Sequence, residues 1–247
     1  MIDSHAHILS EFYDNIDEIV HMLKEKQLLC VMNCATSLDS SKEVIKLSKE
    51  YQDFLIPSIG IHPESVEEIG KLTDLEILIK DNNIKAIGEI GLDYYWVKDN
   101  KDKQLDLFNK QLDLAEKYNL PIIVHTRDSI QDTFNTLKNR KLKGVIHCYS
   151  GSYEMAKEFV KLGYKLGIGG VLTFKNSKLH EVIEKIELKD IILETDSPFL
   201  SPEPVRGTKN TPYNVYYVAQ KISEIKGISF ENVIDITTKN SRELFDL

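Results

Sequence analysis

The chain is 247 residues long, 42% hydrophobic and 28% charged, with a net charge of −8 at neutral pH. That length is large for most single folds but ordinary for an eightfold β/α barrel, and the composition excludes a disordered chain. The acidic balance argues against a protein that coats nucleic acid through a broad basic surface, so any such contact must be local.

Apolar runs alternate with amphipathic segments. A strand over 2–7 leads to a helix over 14–26, a strand over 28–34 to a helix over 39–51, and a strand over 54–61 to a helix over 72–81. Next come a strand over 84–90 and a helix over 101–118, whose Leu105, Leu107, Phe108, Leu112, Leu114 and Ala115 keep a helical period. Pro121 opens a strand over 121–126, where its missing N–H is tolerated, and a helix over 128–139 follows. The remaining pairs are 143–148 with 152–162, 164–169 with 176–187, and 190–195 with 211–226; a last helix spans 229–245. Ser150 or Ser152 is placed to cap the helix at 152. Eight strands, each followed by a helix, predict an α/β fold of the closed (β/α)8 TIM type, with an open doubly wound sheet as the alternative. No linker, low-complexity tract or repeat beyond the β/α unit breaks the chain, which predicts one domain over 1–247.

Cys30, Cys34 and Cys148 are odd in number and lack zinc-finger spacing, so no disulfide framework is expected. Cys30 and Cys34 read as core residues, and Cys148 as a core thiol facing away from His147. Met1 opens directly into the first strand, and no run of 18 apolar residues is present. The expectation is a cytoplasmic protein with no leader, no membrane contact and no obligate protein partner.

Chemistry concentrates at the strand ends. His5 and His7 lie two apart on a strand, so both imidazoles share a face, whereas a helix would turn them apart. Glu89 ends the fourth strand, His125 the fifth and His147 the sixth, and Asp196 follows the eighth. A lone histidine at a strand end is usually a core or surface residue, and a His-x-His pair is common by chance. Six good ligands converging on the rim where barrels keep their chemistry are a different matter. Six exceed one tetrahedral zinc and suit two ions held by four imidazoles and two carboxylates. Such a site makes hydroxide at neutral pH and offsets charge on phosphoryl or acyl oxygens, which predicts a metal-dependent hydrolase. His21 and His180 fall in helical segments among charged residues and read as solvated surface.

Six sequence blocks in order extend the pattern. They are Ile2-Asp3-Ser4-His5-Ala6-His7, Gly60-Ile61-His62-Pro63, Ile87 to Tyr94, Pro121 to Arg127, His147-Cys148-Tyr149-Ser150-Gly151, and Glu194-Thr195-Asp196-Ser197-Pro198-Phe199-Leu200. Together with Asn240 and Leu244-Phe245 they resemble the TatD family of metal-dependent hydrolases, within the amidohydrolase-like barrels. The resemblance implies a (β/α)8 barrel with two divalent ions and phosphodiesterase activity on DNA. It assigns His5, His7 and Asp196 to one ion, His125 and His147 to the other, and Glu89 to both. In that scheme Asp196 also accepts a proton from the attacking water, so Asp196 and Glu89 are the candidate catalytic residues. The chain departs from the family pattern at Glu64, Thr208 and Thr211, none of them a metal ligand.

A second set is placed to handle substrate. His62 ends the third strand and can donate to a phosphate oxygen. Arg127 follows His125 by two, and its planar fork suits phosphate, with a salt bridge to a neighbouring carboxylate as the plain alternative. Asp93 begins the loop 91–100, where it either orients a ligand histidine or caps the turn. Arg206 and Lys209 are the local cations of the stretch 202–210. Tyr94, Tyr95 and Trp96 either stack on a base or pack their loop. The leading reading is a deoxyribonuclease that trims single-stranded DNA from an end in the 3′ to 5′ direction. The alternatives are a D-aminoacyl-tRNA deacylase or other ester hydrolase, a small-molecule amidohydrolase or lactonase, and a non-catalytic binding protein. Imidazole ligands favour zinc or manganese, while phosphodiester chemistry commonly uses magnesium.

Overall fold

The computed structural model describes residues 1–96 and 99–247; Val97 and Lys98, in the loop 91–100 singled out above, lie outside the described residues. The strands are β1 (Ile2–Ala6), β2 (Cys30–Cys34), β3 (Leu55–Ile59), β4 (Ala86–Asp93), β5 (Ile122–Arg127), β6 (Gly144–Ile146), β7 (Lys165–Ile168) and β8 (Ile191–Leu193). The helices are α1 (Ile16–Glu25), α2 (Leu38–Glu50), α3 (Leu72–Asp81), α4 (Lys101–Tyr118), α5 (Ile130–Leu137), α6 (Tyr153–Lys161), α7 (Leu179–Lys185), α8 (Val215–Lys226) and α9 (Phe230–Phe245). The strands are hydrogen-bonded neighbours in chain order, every resolved pairing is parallel, and each strand is followed by a helix. The fold is a (β/α)8 barrel of the TIM type. No helix among the described residues is long and apolar enough to cross a membrane.

The chain forms two compact units, Met1–Asn33 with Cys148–Leu247, and Cys34–His147. In the first, β7 pairs with β8 in register Leu166–Ile191, Gly167–Ile192 and Ile168–Leu193, and Ala6 at the end of β1 bridges Ser197 just beyond β8. Its core is aliphatic, with Val31, Leu166, Ile168, Ile191, Ile192, Val218, Ile222 and Val233 buried. Ser152 caps α6 by accepting the Met155 N–H. From α9, the buried Asn240 side chain donates to the carbonyls of Leu188 and Ile191, so the approach to β8 is held by an amide.

In the second unit β4 and β5 form the longest pairing, running to Asp93–Arg127. Gly91 makes this possible. It has φ +145°, and a Cβ there would stand 2.0 Å from the His125 carbonyl oxygen, so only glycine lets the two backbones meet. Helix α4 packs Leu107, Phe108, Leu112 and Ala115 inward and also buries two glutamines seven residues apart on one face. The Gln111 amide takes the Ile61 N–H at 2.8 Å and donates to the Ile61 carbonyl at 2.9 Å. Gln104 does the same for Asp93, at 2.8 Å both ways. Asn33 clamps the backbone of Ile8 alike in the first unit, at 2.7 and 3.0 Å. Each amide grips the chain at or beside a candidate functional residue: Ile8 follows His7, Ile61 precedes His62, and Asp93 is itself one.

These clamps predict a stability effect. Gln111→Ala strands a buried N–H and a buried carbonyl, each worth roughly 1–3 kcal/mol when left unsatisfied, so about 2–6 kcal/mol of stability should be lost. Urea unfolding should show the shifted midpoint; a wild-type midpoint would mean that water replaces the amide.

Candidate metal centre

Three residues of the first unit converge because the end of β1 interlocks with the segment after β8. The Asp196 N–H donates to the His5 carbonyl at 2.9 Å and the His7 N–H to the Ser197 carbonyl at 2.8 Å. Beneath them lies Asp3, fully buried. Its Oδ1 accepts the N–H groups of His5 at 3.2 Å and Thr195 at 2.9 Å, and its Oδ2 the Thr195 hydroxyl at 2.5 Å. Burial raises the Asp3 carboxyl well above the usual range, with the Thr195 and His5 hydrogen bonds opposing it. Asp196 adopts a left-handed φ of 58°, a region aspartate tolerates better than most residues. The result is His5 Nε2 3.2 Å from His7 Nε2, with Asp196 Oδ1 at 3.6 Å from the first and 3.4 Å from the second.

The second unit gathers three imidazoles around one carboxylate oxygen. Glu89 sits within β4 and His125 within β5, and His147 follows β6 by one residue. Glu89 Oε1 lies 2.7 Å from His125 Nδ1, 3.5 Å from His147 Nε2 and 3.6 Å from His62 Nε2. His62 was expected to end the third strand. That strand stops at Ile59, and His62 instead heads a 3-10 helix, Pro63–Lys71, whose proline fits its first turn. Its Nδ1 accepts the Glu64 N–H at 3.2 Å, so a neutral ring carries its proton on Nε2, facing Glu89. Asp93 takes the other side of His125, with Oδ2 3.0 Å from Nε2, while Oδ1 accepts the N–H groups of Tyr95 and Trp96. It thus both orients the histidine and caps the turn. Burial alone would lower the His125 imidazole, but Asp93 and Glu89 outweigh it and lift it to about 9. Burial raises the Asp93 carboxyl, yet the hydrogen bonds from His125 and Tyr95 leave it below its ordinary value. This pocket favours positive charge.

The His5–His7–Asp196 group fits a divalent ion throughout, and the second group fits one at Glu89 and His147. Two ligands about 2.0–2.2 Å from a common ion stand roughly 3–3.6 Å apart at octahedral or tetrahedral angles. The spacings of 3.2, 3.4 and 3.6 Å in the first group and of 3.5 Å between Glu89 and His147 in the second have that size, whereas the 2.7 Å between Glu89 and His125 is a direct hydrogen bond. The donors, imidazole nitrogen and carboxylate oxygen, suit zinc, manganese or magnesium.

Comparison with known proteins sharpens this picture. A family model described as TatD related DNase matches residues 2–246. The chain belongs to the TatD family of metal-dependent hydrolases. A metal-dependent hydrolase from Bacillus subtilis is 37% identical, covering 99% of this chain and 98% of its own length. Another from Methanocaldococcus jannaschii is 38% identical, covering 99% and 96%. The crystal structure of a TatD homologue from Escherichia coli K12 matches with a TM-score of 0.89 at 28% identity, covering 100% of this chain and 98% of the other.

Within this TatD-family chain the expected substrate residues fall in different places. Arg127 ends β5, exposed, with its guanidinium carbon over the Tyr95 ring at 3.9 Å from the centroid and over that of Trp96 at 5.4 Å. Among the described residues no carboxylate lies within salt-bridge distance of it, although its charge acts on Glu64, so the salt-bridge alternative is not what holds it. Tyr94 is buried, its hydroxyl donating to Asp132 at 3.1 Å, whereas Tyr95 and Trp96 stay open. Packing and display are therefore divided among the three aromatics. Arg206 pairs with Glu203 at 3.8 Å and lies 4.2 Å over Phe174. Lys209 donates to the Phe12 carbonyl and lies 4.1 Å over Tyr13.

Two readings are corrected. Cys148 is not a core thiol. Strand β6 ends at Ile146, so strand alternation no longer applies; Cys148 is half-buried with φ 45°, and its N–H donates to Glu194 Oε1 at 2.6 Å. His180 is not solvated surface, since it is half-buried with Nε2 2.9 Å from the Leu172 carbonyl. Sequence reasoning missed Asp3, although an acid two residues before His5 on the same strand face was a usable signal. It also missed the amide clamps, whose partners are backbone atoms without sequence identity.

Proposed function

We propose that this TatD-family hydrolase cleaves phosphodiester bonds at the end of a single DNA strand, stepwise from 3′ to 5′, with one divalent ion at each donor group. The observation that carries the reading is Arg127, a guanidinium held over the Tyr95 ring two residues beyond His125 on the same strand. A planar fork fixed beside metal donors is suited to a phosphate rather than to a neutral lactone or amide. The family description as TatD related DNase supports the same substrate class. The net charge of −8 favours an end over a long tract of backbone.

Bound divalent ions supply Lewis acidity and ionise water near neutral pH. The residues of the chain do the rest. His5, His7 and Asp196 hold one ion; Glu89, His125 and His147 hold the other. Asp196 accepts the proton of the attacking water. Asp93 fixes the His125 ring, His62 offers its Nε2 proton to a phosphate oxygen, and Arg127 clamps the phosphate. Arg206 and Lys209 are reserves of positive charge already engaged within the protein.

The deciding experiment compares end-labelled single-stranded DNA, duplex DNA, closed circular single strands, D-aminoacyl-tRNA and a chromogenic phosphodiester. Stepwise release of mononucleotides from linear single strands, with circles intact, is expected. Preferential release of the amino acid from D-aminoacyl-tRNA would replace this reading with the deacylase one, and efficient cutting of circles would remove the end requirement.

Two further outcomes follow. Elemental analysis of protein supplied with manganese or zinc should approach two ions per chain, and a ceiling of one would rule out the paired groups as two metal sites. Arg127→Ala should cut kcat/KM on DNA by roughly 10- to 100-fold, in line with a lost charged hydrogen-bonding clamp, while metal content stays unchanged. Equal efficiency in variant and wild type would leave Arg127 as a loop-packing residue.

A further inference from the structure

Two aromatic rings, Phe12 half-buried and Phe199 open, stand beside the His5–His7–Asp196 group. Phe12 lies beyond β1, and Phe199 follows Asp196 by three residues. Their rings meet edge to face, with centroids 5.4 Å apart and planes at 81°. Both rest against His7, at 6.4 Å and 6.1 Å. Phe199 is 48% exposed and its neighbour Leu200 40% exposed.

A single exposed hydrophobe needs no explanation. Here the exposed ring is held in place rather than left on a loose loop tip. The Phe199 N–H donates to the Asp196 carbonyl at 2.8 Å, and its own carbonyl accepts the Asn210 side chain at 2.6 Å. Asn210 is fully buried and also donates to the Thr195 carbonyl at 3.0 Å, so one amide fixes both flanks of Asp196. The same edge carries a cation, since the Lys209 ammonium donates to the Phe12 carbonyl. The surface is therefore a right-angled aromatic corner on a pinned backbone, bordered by metal donors on one side and an ammonium on the other.

We propose that this corner is a nucleobase subsite. The base of the nucleotide being processed stacks on Phe199 with its edge against Phe12, and its phosphate lies toward His5, His7 and Asp196. Rings at right angles accept a flat heterocycle by stacking on one and meeting the other edge-on. Every base offers such a face, so the subsite supplies grip without sequence preference. The inference rests on reading the protein as an enzyme of DNA ends, but it concerns the base, whereas that reading concerns the bond.

The test measures binding of dAMP and of 2-deoxyribose 5-phosphate to manganese-supplied wild-type, Phe199→Ala and Phe199→Trp proteins. Wild type should prefer dAMP. Phe199→Ala should weaken dAMP by about 5- to 100-fold, the span of base–aromatic stacking, with deoxyribose phosphate little affected; Phe199→Trp should keep the preference. Equal dAMP affinity in wild type and Phe199→Ala overturns the subsite, as does equal weakening of both ligands, which would mark Phe199 as structural. Wild-type protein that discriminates dAMP but hydrolyses no end-labelled DNA would leave the subsite standing and overturn the nuclease reading alone.

Discussion

Replacing Asp196 by asparagine is expected to lower kcat on a phosphodiester substrate by at least ~100-fold, within the range that a general base contributes. The substitution keeps the size and one oxygen but removes charge and basicity. It should not disturb the fold. Asp196 sits at a left-handed φ of 58°, which asparagine accepts as readily as aspartate. The contact that positions it, the N–H to the His5 carbonyl, belongs to the backbone and survives. The oxygen 3.4–3.6 Å from His7 and His5 becomes a neutral amide, a weaker metal ligand and no proton acceptor. Circular dichroism should match wild type while turnover falls. A near-wild-type rate with unchanged metal content would show that neither role belongs to Asp196.

Strand ends were legible because two periodicities meet there. Apolar runs of five to eight residues separated by helical stretches placed His5, Glu89 and His125 on strands, and the strand period put His5 and His7 on one face. The structure keeps these assignments close to where the pattern put them, and α4 spans Lys101–Tyr118 as its apolar spacing implies. Departures begin where alternation stops carrying information. Strand β4 runs on to Asp93 because Gly91 admits the His125 backbone and Gln104 grips Asp93, and neither effect is written in hydrophobic pattern. The turn at His62 follows from Pro63 and a 3-10 helix, a short irregular element with no period to detect. Cys148 takes a left-handed backbone where the chain leaves a strand, so reasoning from His147 about the direction of its side chain fails. The three amide clamps at Ile8, Ile61 and Asp93 are invisible for a different reason: an asparagine on a strand or a glutamine on a helix says nothing of its role until its partner backbone is known.

Glu89→Gln should fail in another way from Asp196→Asn. Glu89 Oε1 is the atom nearest to three imidazoles at once, 2.7 Å from His125, 3.5 Å from His147 and 3.6 Å from His62. In the proposed site, neutralising it would remove the charge that offsets a cation among those rings, and the amide would place an N–H or a poorer oxygen where a ligand is proposed. Loss of an outer partner of a metal ligand typically costs 10–100-fold in affinity, so loss of the carboxylate itself should exceed ~100-fold. The backbone is anchored independently, by the Glu89 N–H to the Ala35 carbonyl at 2.9 Å, so the strand should stay in place. Activity and metal should therefore be lost together, and raising the metal concentration should recover part of the Glu89→Gln rate. It should recover far less of the Asp196→Asn rate, where a proton acceptor is missing as well. Titrating manganese into both variants while following hydrolysis separates the two defects. A Glu89→Gln protein that binds manganese as tightly as wild type would remove Glu89 from the ligand set and leave His62, His125 and His147 to be explained without it.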